Sequence, residues 1–270
     1  VDLGLEGRSC VVTGASRGIG RETARLLCAE GASVLLVSRS ADALDEAAVE
    51  CERAGAQAGG HAAPLPLDVT DPDAGERMLG EATDRFDGLD VLVNNAGTAK
   101  RRDLEQVPDE DWQAAWDLNV MAPLRAMRAA VPGMAERGWG RIVNVSSSSG
   151  KRPSPQMPEY SVANAAELSL SRVFADRYAA SGVLVNAICP GPTRSELWTE
   201  TAGLADQERE RSGASSSEEV LGAVGAGRPI GRFAEVAEVA GAIVFMCSER
   251  ASYVAGAAWS VDGGSVQVII

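Results

Sequence analysis

Short apolar runs alternate with stretches of helical periodicity along nearly the whole chain. The apolar runs fall at residues 10–12, 34–37, 63–67, 89–93, 141–145, 183–188 and 257–261. Between them, helical patterns cover 19–30, 41–54, 71–86, 109–137, 159–181 and 235–248. Runs that stay apolar, rather than alternating with polar residues, mark strands buried on both faces. Helices must then cover both sides, so the pattern predicts an α/β fold built on a doubly wound parallel sheet. In such a sheet the ligand crevice lies at the carboxyl ends of the strands. Ser40 is placed to cap the second helix, and Pro72 to sit in the first turn of the third. Asn119 and Pro123 interrupt the fourth. Residues 195–228 break the rhythm: they are polar, patched with Gly and Ser, and weakly helical. An insertion of that length in a compact fold reads as a substrate lid or a disordered loop. With no repeat and no linker, residues 1–270 read as a single domain with a lid at 195–228 inside it.

Composition narrows the function. Hydrophobic residues make up 45% of the chain, enough for a sizeable core, yet no segment is apolar for long enough to span a membrane. Val1 to Leu5 show no basic stretch followed by an apolar one, which points to a cytoplasmic protein. A net charge of −13 argues against nucleic acid or an anionic membrane as partner. Five scattered cysteines offer neither a C-x-x-C pair nor metal-ligand spacing, so they read as buried thiols in a reducing compartment, with no metal site. The lone histidine, His61, reads as the entry to a strand, which removes the base of a Ser-His-Asp triad.

Candidate chemistry starts at the first strand-to-helix turn, Thr13-Gly14-Ala15-Ser16-Arg17-Gly18-Ile19-Gly20. Glycines let the chain bend sharply and let a pyrophosphate approach main-chain N–H groups at the positive end of the new helix. The spacing, G-x-x-x-G-x-G, resembles the cofactor turn of the short-chain dehydrogenase/reductase family. Further matches follow in order and cover about residues 7–264. Asp68, in Asp68-Val69 after the third strand, resembles the family's contact to the adenine. Asn94-Asn95-Ala96-Gly97 resembles the N-N-A-G run, and Asn119 the helix-kinking asparagine of the proton relay. Pro190-Gly191 with Thr193 and Ser195 resembles the turn against the nicotinamide, and Asp262-Gly263-Gly264 the C-terminal signature. The resemblance implies a Rossmann-like fold that binds a nicotinamide dinucleotide. Arg39 stands where an acid would recognise an unmodified ribose, and Arg17 lies in the glycine turn. Two guanidiniums suit a 2′-phosphate, so NADP(H) is expected.

The family's proton donor is matched by Tyr160, in Tyr160-Ser161-Val162-Ala163-Asn164, and thirteen residues earlier stands Ser147. The resemblance implies that Ser147 hydrogen-bonds the substrate oxygen while Tyr160 gives the proton. One departure is decisive: the family's Y-x-x-x-K lysine, on the tyrosine's face one turn later, is Asn164 here. That lysine holds the nicotinamide ribose and lowers the tyrosine pKa; asparagine can donate a hydrogen bond but brings no charge. Three readings stay open: an introduced substitution, a natural protein that keeps weak activity or uses another cation, or a member turned to isomerisation, dehydration or ligand binding. Only Lys151 could stand in, and its loop is expected to face the substrate. Lys100-Arg101-Arg102 and Lys151-Arg152 follow the N-N-A-G run and the serines, so cations are expected around the cleft, suiting an anionic or carrier-bound carbonyl substrate. Trp198 is either a lid residue or its packing anchor. By resemblance, the helices at 109–137 and 159–181 and the apolar tail at 266–270 are expected to form a homotetramer. The expected activity is NADPH-dependent reduction of a ketone, a 3-oxoacyl thioester or a secondary metabolite, at Asn119, Ser147, Tyr160 and Asn164.

Overall fold

The computed structural model describes residues 1–267. Its centre is one seven-stranded, wholly parallel sheet: β1 (Ser9–Thr13), β2 (Ser33–Ser38), β3 (His61–Pro66), β4 (Val91–Asn94), β5 (Gly140–Val145), β6 (Val183–Pro190) and β7 (Ala258–Val261). The spatial order is β3-β2-β1-β4-β5-β6-β7, with parallel register at every pair. Winding runs outward from β1 in one direction and from β4 in the other, which opens a crevice where these strands end.

Adjacent strand residues point to opposite faces, so Leu35 and Leu36 enter different cores. One core packs Leu27 of α1 (Gly18–Ala29), Leu44 of α2 (Ala41–Gly55) and Ile243 of α11 (Val236–Cys247) under Leu36 and Val12. The other packs Met78 of α3 (Ala74–Phe86) and Met127 of α5 (Ala122–Glu136) under Leu35, Leu92 and Ile142. α7 (Pro158–Tyr178) joins the second core through Ala175, and α4 (Asp109–Trp116) and α6 (Ser148–Lys151) pack against α7.

Several local expectations shift. Ser40 occupies the N-cap of α2, but its side chain makes no capping bond. α3 starts only at Ala74, leaving Pro72 in the turn before it, held by the Ala74 amide on the Asp71 carbonyl. The third strand begins at His61, an exposed residue at the end of the sheet away from the crevice. The long helix breaks as foreseen: a π-helical turn over Asp117–Met121 separates α4 from α5, and Pro123 sits in α5's first turn, where its missing N–H is harmless. Residues 195–228 are neither loop nor tangle but carry α8 (Glu196–Thr199), α9 (Leu204–Ser212) and α10 (Ser217–Ala226). These helices share a third core of Trp198, Leu204, Val220, Leu221 and Phe233. Trp198 is its anchor, edge-on to Phe233 at 5.0 Å and covered by the Arg101 guanidinium at 5.4 Å. All five cysteines are free and buried. Of the tail at 266–270, residues 268–270 lie outside the described residues.

Candidate active site

A cleft of about 950 Å³ opens at the carboxyl ends of β1, β2 and β4 and runs under α8. That volume suits a dinucleotide with a small co-substrate. Its floor is the glycine turn. At Gly14 a Cβ would meet the Asn95 Nδ2 at 2.9 Å, and at Gly20 the Gly14 carbonyl oxygen at 2.3 Å. Only glycine lets the turn and the Asn95 strand end close together this way. Thr13 stitches the two, its Oγ1 accepting from the Asn95 and Ala96 amides at 2.9 and 3.1 Å. Asn95 Nδ2 donates back to the Thr13 carbonyl at 2.9 Å. Ser16, Arg17, Gly18, Ile19, Ala96 and Gly97 line the same wall.

At the β2 end, Ser38, Arg39, Asp68 and Val69 face the cleft. The Thr70 hydroxyl and amide hold Asp68 at 2.7 and 2.9 Å and, with Arg39 nearby, keep its carboxyl below the usual range. Arg39 forms no ion pair among the described residues, and the buried Ser38 Oγ has no partner. A free guanidinium beside an orphaned hydroxyl and a glycine cradle fits the phosphate-bearing ribose of a dinucleotide. Arg17 is engaged instead: it pairs with Glu200, which follows α8 (Glu196–Thr199). Glu196 lies over the turn as well, its Oε2 3.1 Å from where a Gly18 Cβ would stand.

At the other end stands Tyr160, half-buried in the first turn of α7 and packed against the lid core. Burial pushes its hydroxyl above the ordinary tyrosine range; hydrogen bonds with Ser147 and Asn164 pull back part of the way, and Glu167 pushes up again. Ser147 is buried and caps α6, its Oγ accepting from the Ser149 amide at 3.0 Å. Asn119 lies in the π-turn, its Nδ2 on the Ala115 carbonyl at 2.9 Å and its Oδ1 facing Gly97.

Asn164 is 1% exposed and forms no part of the cleft wall. Its Nδ2 donates to the Tyr160 carbonyl at 2.9 Å, and its Oδ1 accepts from Ser146 at 3.1 Å. Gly20, Asn119 and the Pro190-Gly191-Thr193 turn are not among the lining residues, and Ser147 lies against the cleft-lining Tyr160. That turn packs on the C-terminal signature: a Gly191 Cβ would stand 2.7 Å from the Asp262 backbone.

Two expectations are corrected. Lys151 does not face the substrate; its Nζ donates to the Ala258 carbonyl and to Ser260 Oγ on β7. Nor is the cleft ringed by free cations. Arg101 pairs with Glu208 at 3.0 Å, Arg102 with Asp111, and Arg152 reaches the Ser265 carbonyl. Lys100 alone of these stretches lines the cleft without an ion pair among the described residues.

One residue was missed entirely. Glu167, 3% exposed, follows Tyr160 and Asn164 on one face of α7, with Ser171 next. Burial drives its carboxyl up to about 8, the Ser146 hydroxyl offsetting part of that. Ser171 continues the stripe by accepting from Asn144 Nδ2 at 2.7 Å, and Asn144 Oδ1 accepts from Asn94 at 2.8 Å. A polar ladder therefore runs from the tyrosine into the centre of the sheet. Its sequence signal was four polar residues at helical spacing, which reads equally well as a solvated face.

Comparison with known proteins decides the family. The family model described as Enoyl-(Acyl carrier protein) reductase matches residues 14–266. The chain belongs to the short-chain dehydrogenase/reductase family. It is 38% identical over 262 residues to the cis-4-hydroxycyclohexanecarboxylate dehydrogenase of Sinomonas cyclohexanicum, covering 97% of each. It is 33% identical to a 3-oxoacyl-[acyl-carrier-protein] reductase of Thermotoga maritima, covering 97% of this chain and 99% of that one. Among solved structures, the L-sorbose reductase of Gluconobacter frateurii, complexed with NADPH and L-sorbose, superposes with a TM-score of 0.91 at 36% identity, each chain fully covered. Family membership makes the chain an oxidoreductase by descent, and the fold is the Rossmann-like sheet expected of it.

Proposed function

We propose that this protein is an NADPH-dependent reductase that converts a ketone to an alcohol, with Tyr160 as its proton donor. The main support is that the glycine turn and Tyr160 line one continuous cleft. When bound, a reduced nicotinamide would supply the hydride that the carbonyl carbon takes. The Tyr160 phenol then gives its proton to the carbonyl oxygen, and the Ser147 hydroxyl steadies that oxygen, so charge does not build on it. Asn119 fixes the π-turn against Gly97, and Asn164 ties Ser146 to the tyrosine's own turn. Each of these residues orients the donor rather than reacting.

The preference for NADPH rests on the unpaired Arg39 beside the orphaned Ser38 hydroxyl. Gly14, Ser16, Arg17, Gly18, Ile19 and Gly20 would cradle the pyrophosphate, with Asp68, Val69, Asn95, Ala96 and Gly97 at the adenosine side. Pro190, Gly191, Thr193 and Asn164 would back the nicotinamide. The cofactor named for the sorbose reductase supports the same choice. Substrates are expected among 3-oxoacyl thioesters and secondary-metabolite ketones, with α8 to α10 as the lid. Five buried, free thiols support a reducing, cytoplasmic setting. Exposed Val162 and Val173 on α7, Trp116 on α4 and Trp259 on the edge strand support a homotetramer.

One observation favours a second reading. Among the described residues no cation stands beside Tyr160, and a buried acid does. A redox-inactive protein that merely binds the cofactor would tolerate both. The test is loss of NADPH absorbance with a panel of ketones and 3-oxoacyl thioesters. Oxidation that Tyr160→Phe abolishes supports the reductase; NADPH binding without oxidation supports the second reading.

A further inference from the structure

Among the described residues, five buried side-chain polar atoms have no hydrogen-bond partner, and two of them belong to residues lining the cleft. Ser38 Oγ lies at the end assigned to the cofactor. Glu159 Oε2 lies at the other end, next in sequence to Tyr160. Glu159 is 5% exposed and forms no ion pair among the described residues; Lys100 lines the same cleft without reaching it. Ala99, Ala115, Leu118 and Leu197 give the cleft apolar lining as well. Native proteins seldom leave a buried carboxylate oxygen unanswered, because it has lost its water and gained nothing. A donor on a molecule that enters the cleft would satisfy it.

We propose that Glu159 is the acceptor for a hydrogen-bond donor on the substrate, a hydroxyl or an ammonium group close to the reacting carbonyl. The protein then selects hydroxy- or aminoketones over plain alkyl ketones. This rests on reading the cleft as a ketone site and specifies which ketones it takes. Glu159 and Tyr160 both line the cleft, so one ligand can meet both side chains.

The test is equilibrium binding of alcohol products to the full chain saturated with NADPH, a combination that cannot react. Cyclohexanol, the three positional isomers of cyclohexanediol and an aminocyclohexanol are compared by calorimetry. At least one isomer, or the amino alcohol, is expected to bind about tenfold or more tightly than cyclohexanol. Glu159→Leu is expected to bring that ratio close to one, and Glu159→Gln to reduce it. The diols and the amino alcohol distinguish a neutral donor from a cationic one. Equal binding of every ligand by the unchanged protein overturns the proposal, as does a preference that survives Glu159→Leu. Should Glu159→Leu fail to fold, Glu159→Gln decides by the same ratio. Discrimination in binding without NADPH oxidation of any matching ketone would sink the reductase reading and leave this one standing.

Discussion

As the proposed proton donor, Tyr160 has no cation beside it among the described residues. Burial and the nearby Glu167 both hold the proton on, so the residue is a firm phenol at neutral pH. That suits it to donate in reduction more than to accept in the reverse direction. Glu167 is the sharper case. Its folded-state pKa, about 8, lies above that of an unfolded glutamate, so the folded protein keeps a proton the unfolded chain has lost. Stability should therefore fall as pH rises from the unfolded pKa towards 8, then level off. Denaturant titrations across that range should show the decline, and Glu167→Gln should flatten it; an equal slope in both proteins would contradict the assignment. Tyr160 and Ser147 were legible because their spacing matches a family pattern. Glu167 was not, because a glutamate at helical spacing looks solvated until α7 is seen lying against Ser146 and Asn144.

At the scale of elements, the glycine turn and α8 compete for the same ground. The turn offers main-chain N–H groups to an anion, yet α8 sets Glu196 over Gly18 and Glu200 on Arg17. A pyrophosphate must displace or share with these carboxylates. Glu196→Gln should tighten NADPH binding by roughly two- to fivefold, a modest change because exposed charges are screened. Fluorescence titration checks this; weaker binding would show that Glu196 assists the cofactor instead. At the β2 end, Arg39→Glu should replace attraction for a 2′-phosphate with repulsion and shift preference from NADPH to NADH by at least about tenfold. An unchanged ratio of the two dissociation constants would remove Arg39 from cofactor choice. The strands and the helices α1, α2, α3, α5 and α11 were legible because each buries an apolar face. The lid helices were not: α8 buries Trp198, α9 Leu204 and Ala205, and α10 only Val220, Leu221 and Gly225. One or two apolar anchors per helix leave almost no period to read.

For the whole molecule, the doubly wound sheet follows directly from the alternation of apolar runs and helical stretches, and its switch point between β1 and β4 fixes where the cleft opens. Charge was less legible. Counting cations on loops suggested a basic mouth, but Arg101, Arg102 and Lys151 are spent on Glu208, Asp111 and β7. Pairing of that kind is invisible until the chain is folded. The apolar residues left outside, Val173 at 63% exposure and Trp259 at 43%, lie on faces that a second copy could cover. Light scattering should give a tetramer at micromolar concentration, and Val173→Asp should reduce it to a smaller species; a monomer in both cases would contradict the assembly.

The central claim is that Tyr160 drives ketone reduction from a site whose lysine has become Asn164. Its most direct test is the rate of NADPH oxidation by the unchanged protein, Asn164→Lys and Tyr160→Phe, each with the same ketones. Slow turnover in the first, a gain of about 10²-fold in the second and none in the third is the predicted result. Turnover that survives Tyr160→Phe, or NADPH bound but oxidised by neither the unchanged protein nor Asn164→Lys, would contradict it.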